Sequence, residues 1–146
     1  MRNAAKTIIA VSILGAANAM YLTYLFIQSK LSAPAESFCD INESVSCGNV
    51  ITSKYALFFG VPVCTIALFV YPALAALGFL ALKRTATRNL FFVISILAAM
   101  GLMLNVVYIH NEVVYIKSIC ALCVGCTVLI AIALASGIRG YSTSAN

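Results

Sequence analysis

Six cysteines punctuate a chain of 146 residues that is 63% hydrophobic and carries one histidine. Two lie in CDINESVSC, as Cys39 and Cys47; three in CALCVGC, as Cys120, Cys123 and Cys126; and Cys64 stands apart. A C-x-x-C at the start of a helix brings two sulfurs within one turn, where unpaired N–H groups and the helix dipole stabilise a thiolate. Such a pair is poised for disulfide exchange. Spacing alone permits Cys123–Cys126 as readily as Cys120–Cys123, but Cys126 lies about 9 Å further along the helix than Cys120, among apolar residues. Depth favours Cys120 with Cys123 and leaves Cys126, like Cys64, as a packing residue. The same C-x-x-C is half of a zinc ribbon. Four thiolates would form a doubly negative unit without a histidine ligand, so no metal is expected. The loop pair has a structural alternative of its own, a disulfide that simply closes the loop.

The elements that must position these thiols are membrane spans. Only 9% of residues are charged and mean hydropathy is +1.05, against about 25% charged in a soluble domain. About 20 apolar residues cross a bilayer, and four windows qualify: residues 7 to 28, 57 to 82, 89 to 110 and 116 to 138. The first resembles a signal peptide, with Ala17-Asn18-Ala19 as a small-residue site, but MYLTYLFIQ extends it to a full span. Residues 29 to 56 form the one long connection. Within VITSKYALFFGVPV a short interfacial helix or a plain lead-in is expected, with Tyr55 and Phe58 in the aromatic belt and Pro62 in the first turn of the second span.

Charge sets the orientation. Arg2, Lys6, Lys83, Arg84, Arg88 and Arg139 share one side with no acid, whereas Lys30, Lys54 and Lys117 share the other with Glu36, Asp40, Glu43 and Glu112. The positive-inside rule puts both termini in the cytoplasm and the loop outside. The net charge of +5 is then a topology signal split among short segments, which excludes a nucleic-acid surface. His110, at the end of the third span, reads as an interfacial residue. Cys39, Cys47, Cys120 and Cys123 gather on the oxidising face.

With that topology, CDINESVSCGNVITSKYALFFGVP and SICALCV resemble the vitamin K epoxide reductase family, of the prokaryotic type without a fused thioredoxin domain. Seven residues separate the loop cysteines, Ser53 lies six beyond the second, Gly60 follows, and a C-x-x-C opens the final helix, as in the animal enzyme. The resemblance spans essentially the whole chain. It implies that Cys123 faces a quinone, that Cys120 is its disulfide partner, that Cys47 is the inner shuttle and that Cys39 meets an external thioredoxin-fold protein. It also implies a quinone pocket, for which Ser53, Asn105 and Tyr108 are the candidate polar contacts; Asn105 and Tyr108 lie about one turn apart on one face. For each there is a purely structural alternative, a cap for Ser53 and helix–helix glue for the other two. Thr127 stands where the animal enzyme has a tyrosine, and the animal segment with a substrate-contacting asparagine is missing, so epoxide reduction is not implied. The chain stops at GYSTSAN, so the thiol carrier is expected to be a separate protein.

The physics of such a relay is general. A soluble dithiol cannot enter hydrocarbon and a lipid quinone does not leave it, so a loop pair must meet a fixed pair at the bilayer edge. Each roughly 30 mV of potential difference then biases the exchange tenfold. The expected protein is an all-α integral membrane domain over residues 1–146, a four-transmembrane-helix bundle with a redox loop between its first two helices. Its expected activity is that of a membrane thiol:quinone oxidoreductase of the inner membrane, using ubiquinone or a menaquinone (vitamin K type) and supplying disulfides to exported proteins. Two alternatives remain at this level: thiol-driven reduction of vitamin K epoxide or quinone for its own sake, and a non-catalytic membrane subunit with a structural loop disulfide.

Overall fold

The computed structural model describes residues 2–31, 40–42, 44–83 and 88–144. Four long helices account for most of it: α1 (Arg2–Lys30), α3 (Val63–Lys83), α4 (Arg88–Asn111) and α5 (Ala121–Thr143), with the six-residue α2 (Cys47–Thr52) between the first two. Their apolar windows suffice to cross a bilayer, since even 21 residues reach about 32 Å at 1.5 Å per residue. The protein is a multi-pass membrane protein. Helix α1 packs mainly against α3 and α5, and α4 packs mainly against α5, with a thinner α3–α4 seam closing the ring. On α1 the buried positions Ala5, Ile8, Val11, Gly15, Ala19, Leu22 and Leu25 recur at three or four residues, as one helical face requires.

Small residues set how closely the helices approach. A Cβ on Gly15 would overlap the ring of Tyr71, and one on Gly140 the ring of Phe91. Membrane helices lack a hydrophobic force between them and associate through such close contacts.

Three boundaries differ from the expected spans. Residues 57–62 do not begin the second span: Leu57–Phe58 (β1) and Val61–Pro62 (β2) pair as an antiparallel hairpin. Its two-residue turn has positive φ at Phe59 (52°) and Gly60 (84°), the type I′ geometry that matches strand twist. Pro62 therefore ends a strand, and the helix starts at Val63. The preceding lead-in is α2 followed by a 3₁₀ turn, Lys54–Ala56. Finally, α4 runs on through a π-helical turn, Glu112–Ile116, and Lys117 takes a left-handed conformation (φ 56°). The fourth span thus starts at Ala121, not at residue 116.

Candidate functional site

The loop is fastened beside the start of α5. Asp40 Oδ1 accepts from Ser46 Oγ (2.6 Å) and from the Gly48 N–H (3.0 Å), while Ser46 Oγ accepts from the Asn49 N–H (3.1 Å). These bonds satisfy two of the open N–H groups of α2, those of Gly48 and Asn49. Val45 forms a parallel bridge to Ile119, with the Ile119 N–H donating to the Ser44 carbonyl at 2.9 Å. The result is that Cys47, the first residue of α2, faces Cys120, the cap of α5.

Their sulfurs stand 3.0 Å apart, both residues fully buried. A disulfide bond is about 2.05 Å, so this is contact without a bond. Cys47 is disulfide-bonded, whereas Cys64, Cys120, Cys123 and Cys126 are free. Cys39 lies outside the described residues. Cys120 Sγ also accepts from the Cys123 N–H at 3.4 Å, so a sulfur fills the cap position that a serine usually takes. The Cys123 thiol, donating to Cys120 Sγ, holds Cys120 below the ordinary thiol range against the opposing pull of burial, helped by the N–H groups of Cys123 and Leu122. A free thiol held below its ordinary range and set against a disulfide sulfur is the arrangement from which exchange can start once the thiol ionises.

Below this contact opens a crevice lined by Leu22, Phe26, Cys64, Asn105, Tyr108 and Cys123, among others. It brings Asn105 and Tyr108 together with Cys123. Asn105 donates one amide hydrogen to the Gly101 carbonyl (3.2 Å), and the Tyr108 hydroxyl makes no hydrogen bond among the described residues although the side chain is buried. Ser53 is not among these lining residues. It caps both α2 and the 3₁₀ turn, its Oγ accepting from the Tyr55 N–H at 3.1 Å. Thr127 bonds back to the Cys123 carbonyl at 3.0 Å.

Cys126 lies one turn deeper and is tied down from two sides. Asn18 Nδ2 donates to Cys126 Sγ (3.1 Å) and to the Leu122 carbonyl (2.9 Å), and the Tyr71 hydroxyl donates to the Cys126 carbonyl (2.9 Å). Cys64 lines the crevice rather than merely filling the core, and His110 is exposed at the end of α4. Three residues of the site escape sequence reasoning. Asn18 and Tyr71 sit in apolar runs, and Glu112 reads as an outer charge. Glu112 is in fact fully buried, with Oε2 accepting from the Cys120 N–H at 3.1 Å.

A search of curated proteins finds no match to the chain. The family model described as "Vitamin K epoxide reductase family" matches residues 6–138, from the first turns of α1 to near the end of α5. That match takes in both C-x-x-C sulfurs, the loop and every residue of the crevice, so the chain belongs to the vitamin K epoxide reductase family and shares its general thiol and quinone oxidoreductase character.

Proposed function

We propose that the protein oxidises a thioredoxin-fold thiol carrier on the extracytoplasmic side and passes the electrons inward through two cysteine pairs to a quinone. Disulfide formation in exported proteins is the outcome. The observation that carries this reading is the 3.0 Å approach of Cys47, bound in a disulfide, to the free Cys120. A staple closing its own loop has no need of a buried thiol against it.

The steps balance as follows. A carrier thiolate attacks the loop disulfide at Cys39, and Cys47 leaves as a thiolate. Cys47 attacks Cys120 Sγ; the Cys47–Cys120 bond forms, the Cys120–Cys123 bond breaks, and the electron pair goes to Cys123. Attack by the carrier's second thiol frees Cys39, and Cys39 then displaces Cys120 from Cys47. The loop is reoxidised and the inner pair is left as two thiols, the redox pattern of Cys47, Cys120 and Cys123 described above.

The crevice suits a quinone headgroup. Its walls are mostly apolar, as pockets for such rings are, while the unpaired Tyr108 hydroxyl and the remaining Asn105 amide hydrogen are donors for ring oxygens beside Cys123. Bound there, a quinone of the ubiquinone or menaquinone type supplies the final two-electron acceptor. Asn105 and Tyr108 would orient it, and the surrounding side chains exclude water. Charge supports the orientation: Arg2, Lys6, Lys83, Arg88 and Arg139 all lie on the helix ends remote from Cys120, and the positive-inside rule favours that end as the cytoplasmic one.

The test is quinone-dependent oxidation of a reduced thioredoxin-fold dithiol by the detergent-purified protein, beside Cys123→Ser and Cys39→Ser variants. Turnover that Cys123→Ser abolishes and Cys39→Ser largely prevents is the expected result. No turnover with ubiquinone or menaquinone, with Cys47 permanently oxidised, would reduce the loop disulfide to a staple.

A further inference from the structure

Glu112 has no part in the steps above, yet among the described residues it is the charged side chain most thoroughly removed from solvent. It is 0% exposed, on the π-helical turn that ends α4. Oε2 accepts from the Cys120 N–H at 3.1 Å. Oε1 is buried and meets no donor within hydrogen-bond geometry, and the Cys123 thiol lies close enough to interact with the carboxyl. The titratable groups around it are Tyr108, Cys120 and Cys123.

A buried carboxylate with an unsatisfied oxygen is costly. As a helix prop alone, the position would be filled better by a glutamine, whose oxygen accepts from Cys120 and which carries no charge. The chemistry of the neighbouring sulfur supplies the missing reason. When the Cys120–Cys123 bond breaks, Cys123 leaves as an anion on the inner side of the contact, where water is excluded. Release of a thiolate into such surroundings is slow unless a proton donor stands beside it.

We propose that Glu112 is the proton partner of Cys123. It protonates the Cys123 sulfur as the Cys120–Cys123 disulfide opens, and takes that proton back as the disulfide closes. In opening, Cys47 Sγ bonds Cys120 Sγ, the electron pair of the broken bond goes to Cys123 Sγ, and the Glu112 proton follows it, leaving Glu112 as the carboxylate. In closing, Cys123 attacks Cys120, its proton passes to Glu112, and Cys47 leaves with the electron pair. The disulfide state then holds a neutral Glu112, and the negative charge enters the site only with the electrons. Two bonds exchange, one proton moves, and no outside oxidant is required.

This inference rests on the relay proposed above, and one experiment separates the two. In a Cys39→Ser background Cys47 is a free thiol, so it attacks an oxidised Cys120–Cys123 pair and releases Cys123, which iodoacetamide labels and peptide mass spectrometry counts. No quinone is needed. Glu112→Gln should slow Cys123 release about 100-fold, the lower range for loss of a general acid, and Glu112→Asp should restore part of it. In the parent, heavy water should slow release measurably, because proton transfer then shares the barrier.

Parent protein that closes the inner disulfide but never releases Cys123 would refute the relay itself. Release in Glu112→Gln at the parent rate, with the fold intact by thermal melting, would overturn the role of Glu112 and leave the relay standing. Should Glu112→Gln fail to fold, Glu112→Asp and the isotope effect decide: unchanged release in both would likewise overturn it.

Discussion

At the basic end of the bundle glycines let neighbouring helices touch; at the cysteine end the helices give way to short irregular pieces. Gly78 meets Ile8 and Ile9, Gly137 meets Ser95, and Gly140 meets Phe91, all among the turns nearest Lys83, Arg88 and Arg139. The other end collects α2, a 3₁₀ turn, a hairpin, a π-helical turn and a left-handed lysine within residues 47–62 and 112–117. Irregular backbone at membrane depth is tolerated only when protein or a cavity satisfies it. The contrast shows one end spending its sequence on contact and the other on placing a few polar groups. Cys123 and Cys126 express the same division one turn apart, the first facing Cys120 and Glu112, the second bound by Asn18 and carrying the carbonyl that holds Tyr71.

Substitutions at the two ends should therefore separate chemistry from stability. The largest effect is expected for Cys120→Ser, which removes the sulfur 3.0 Å from Cys47. Electron transfer between the loop and Cys123 should cease, while the melting temperature in detergent moves little; thiol trapping after addition of a reduced carrier reads the first and thermal unfolding the second. Survival of transfer would mean that Cys123 reaches the loop directly.

Gly140→Val should do the reverse. Its side chain must displace the Phe91 ring, an overpacking cost of about 1–3 kcal/mol, so thermal stability falls while the folded fraction still reacts at Cys120. A normal melting temperature would show that the basic end can give way after all. Tyr108→Phe keeps the ring and removes one crevice hydroxyl; a hydrogen bond of about 0.5–1.5 kcal/mol predicts a roughly 2- to 10-fold rise in quinone KM with carrier-to-loop exchange unchanged. An unaltered KM would take Tyr108 out of quinone binding. Smallest is Ser53→Ala, expected to cost about 0.5–1 kcal/mol as a lost cap and to leave quinone KM alone. A raised KM there would mean that Ser53 reaches the ring despite its bond to the Tyr55 N–H.

What could be read in advance follows the same divide. Four long apolar stretches fix four spans because a bilayer accepts little else, whereas C-x-x-C at a helix start marks a candidate exchange pair and needs depth along the helix to choose Cys120 with Cys123 over Cys123 with Cys126. Local spacing does not give the hairpin at 57–62. An apolar run such as Leu57-Phe58-Phe59 suits a strand or a helix equally, and the choice is made by Gly60 and by the docking of the adjoining 3₁₀ turn, where Tyr55 stacks on Tyr115 at 4.9 Å. Glu112 is the clearest miss. As a letter it marks a charged outer turn, and only the fold that brings the Cys120 N–H onto its carboxyl turns that charge inward. Asn18, read beside Ala17 and Ala19 as part of a cleavage-like triplet, ties α1 to α5 by a bond that spans 104 residues.

The parallel bridge of Val45 to Ile119, closed by the Ile119 N–H on the Ser44 carbonyl, has a consequence for selectivity. By holding the loop against α5 it orients Cys47 on Cys120, and well-oriented intramolecular groups behave as though present at concentrations of about 10⁵ M or more. A free small thiol would need a comparable concentration to compete for Cys120 on equal terms. In the relay proposed above, the inner pair would thereby favour the Cys47 thiolate that the loop delivers over thiols from outside.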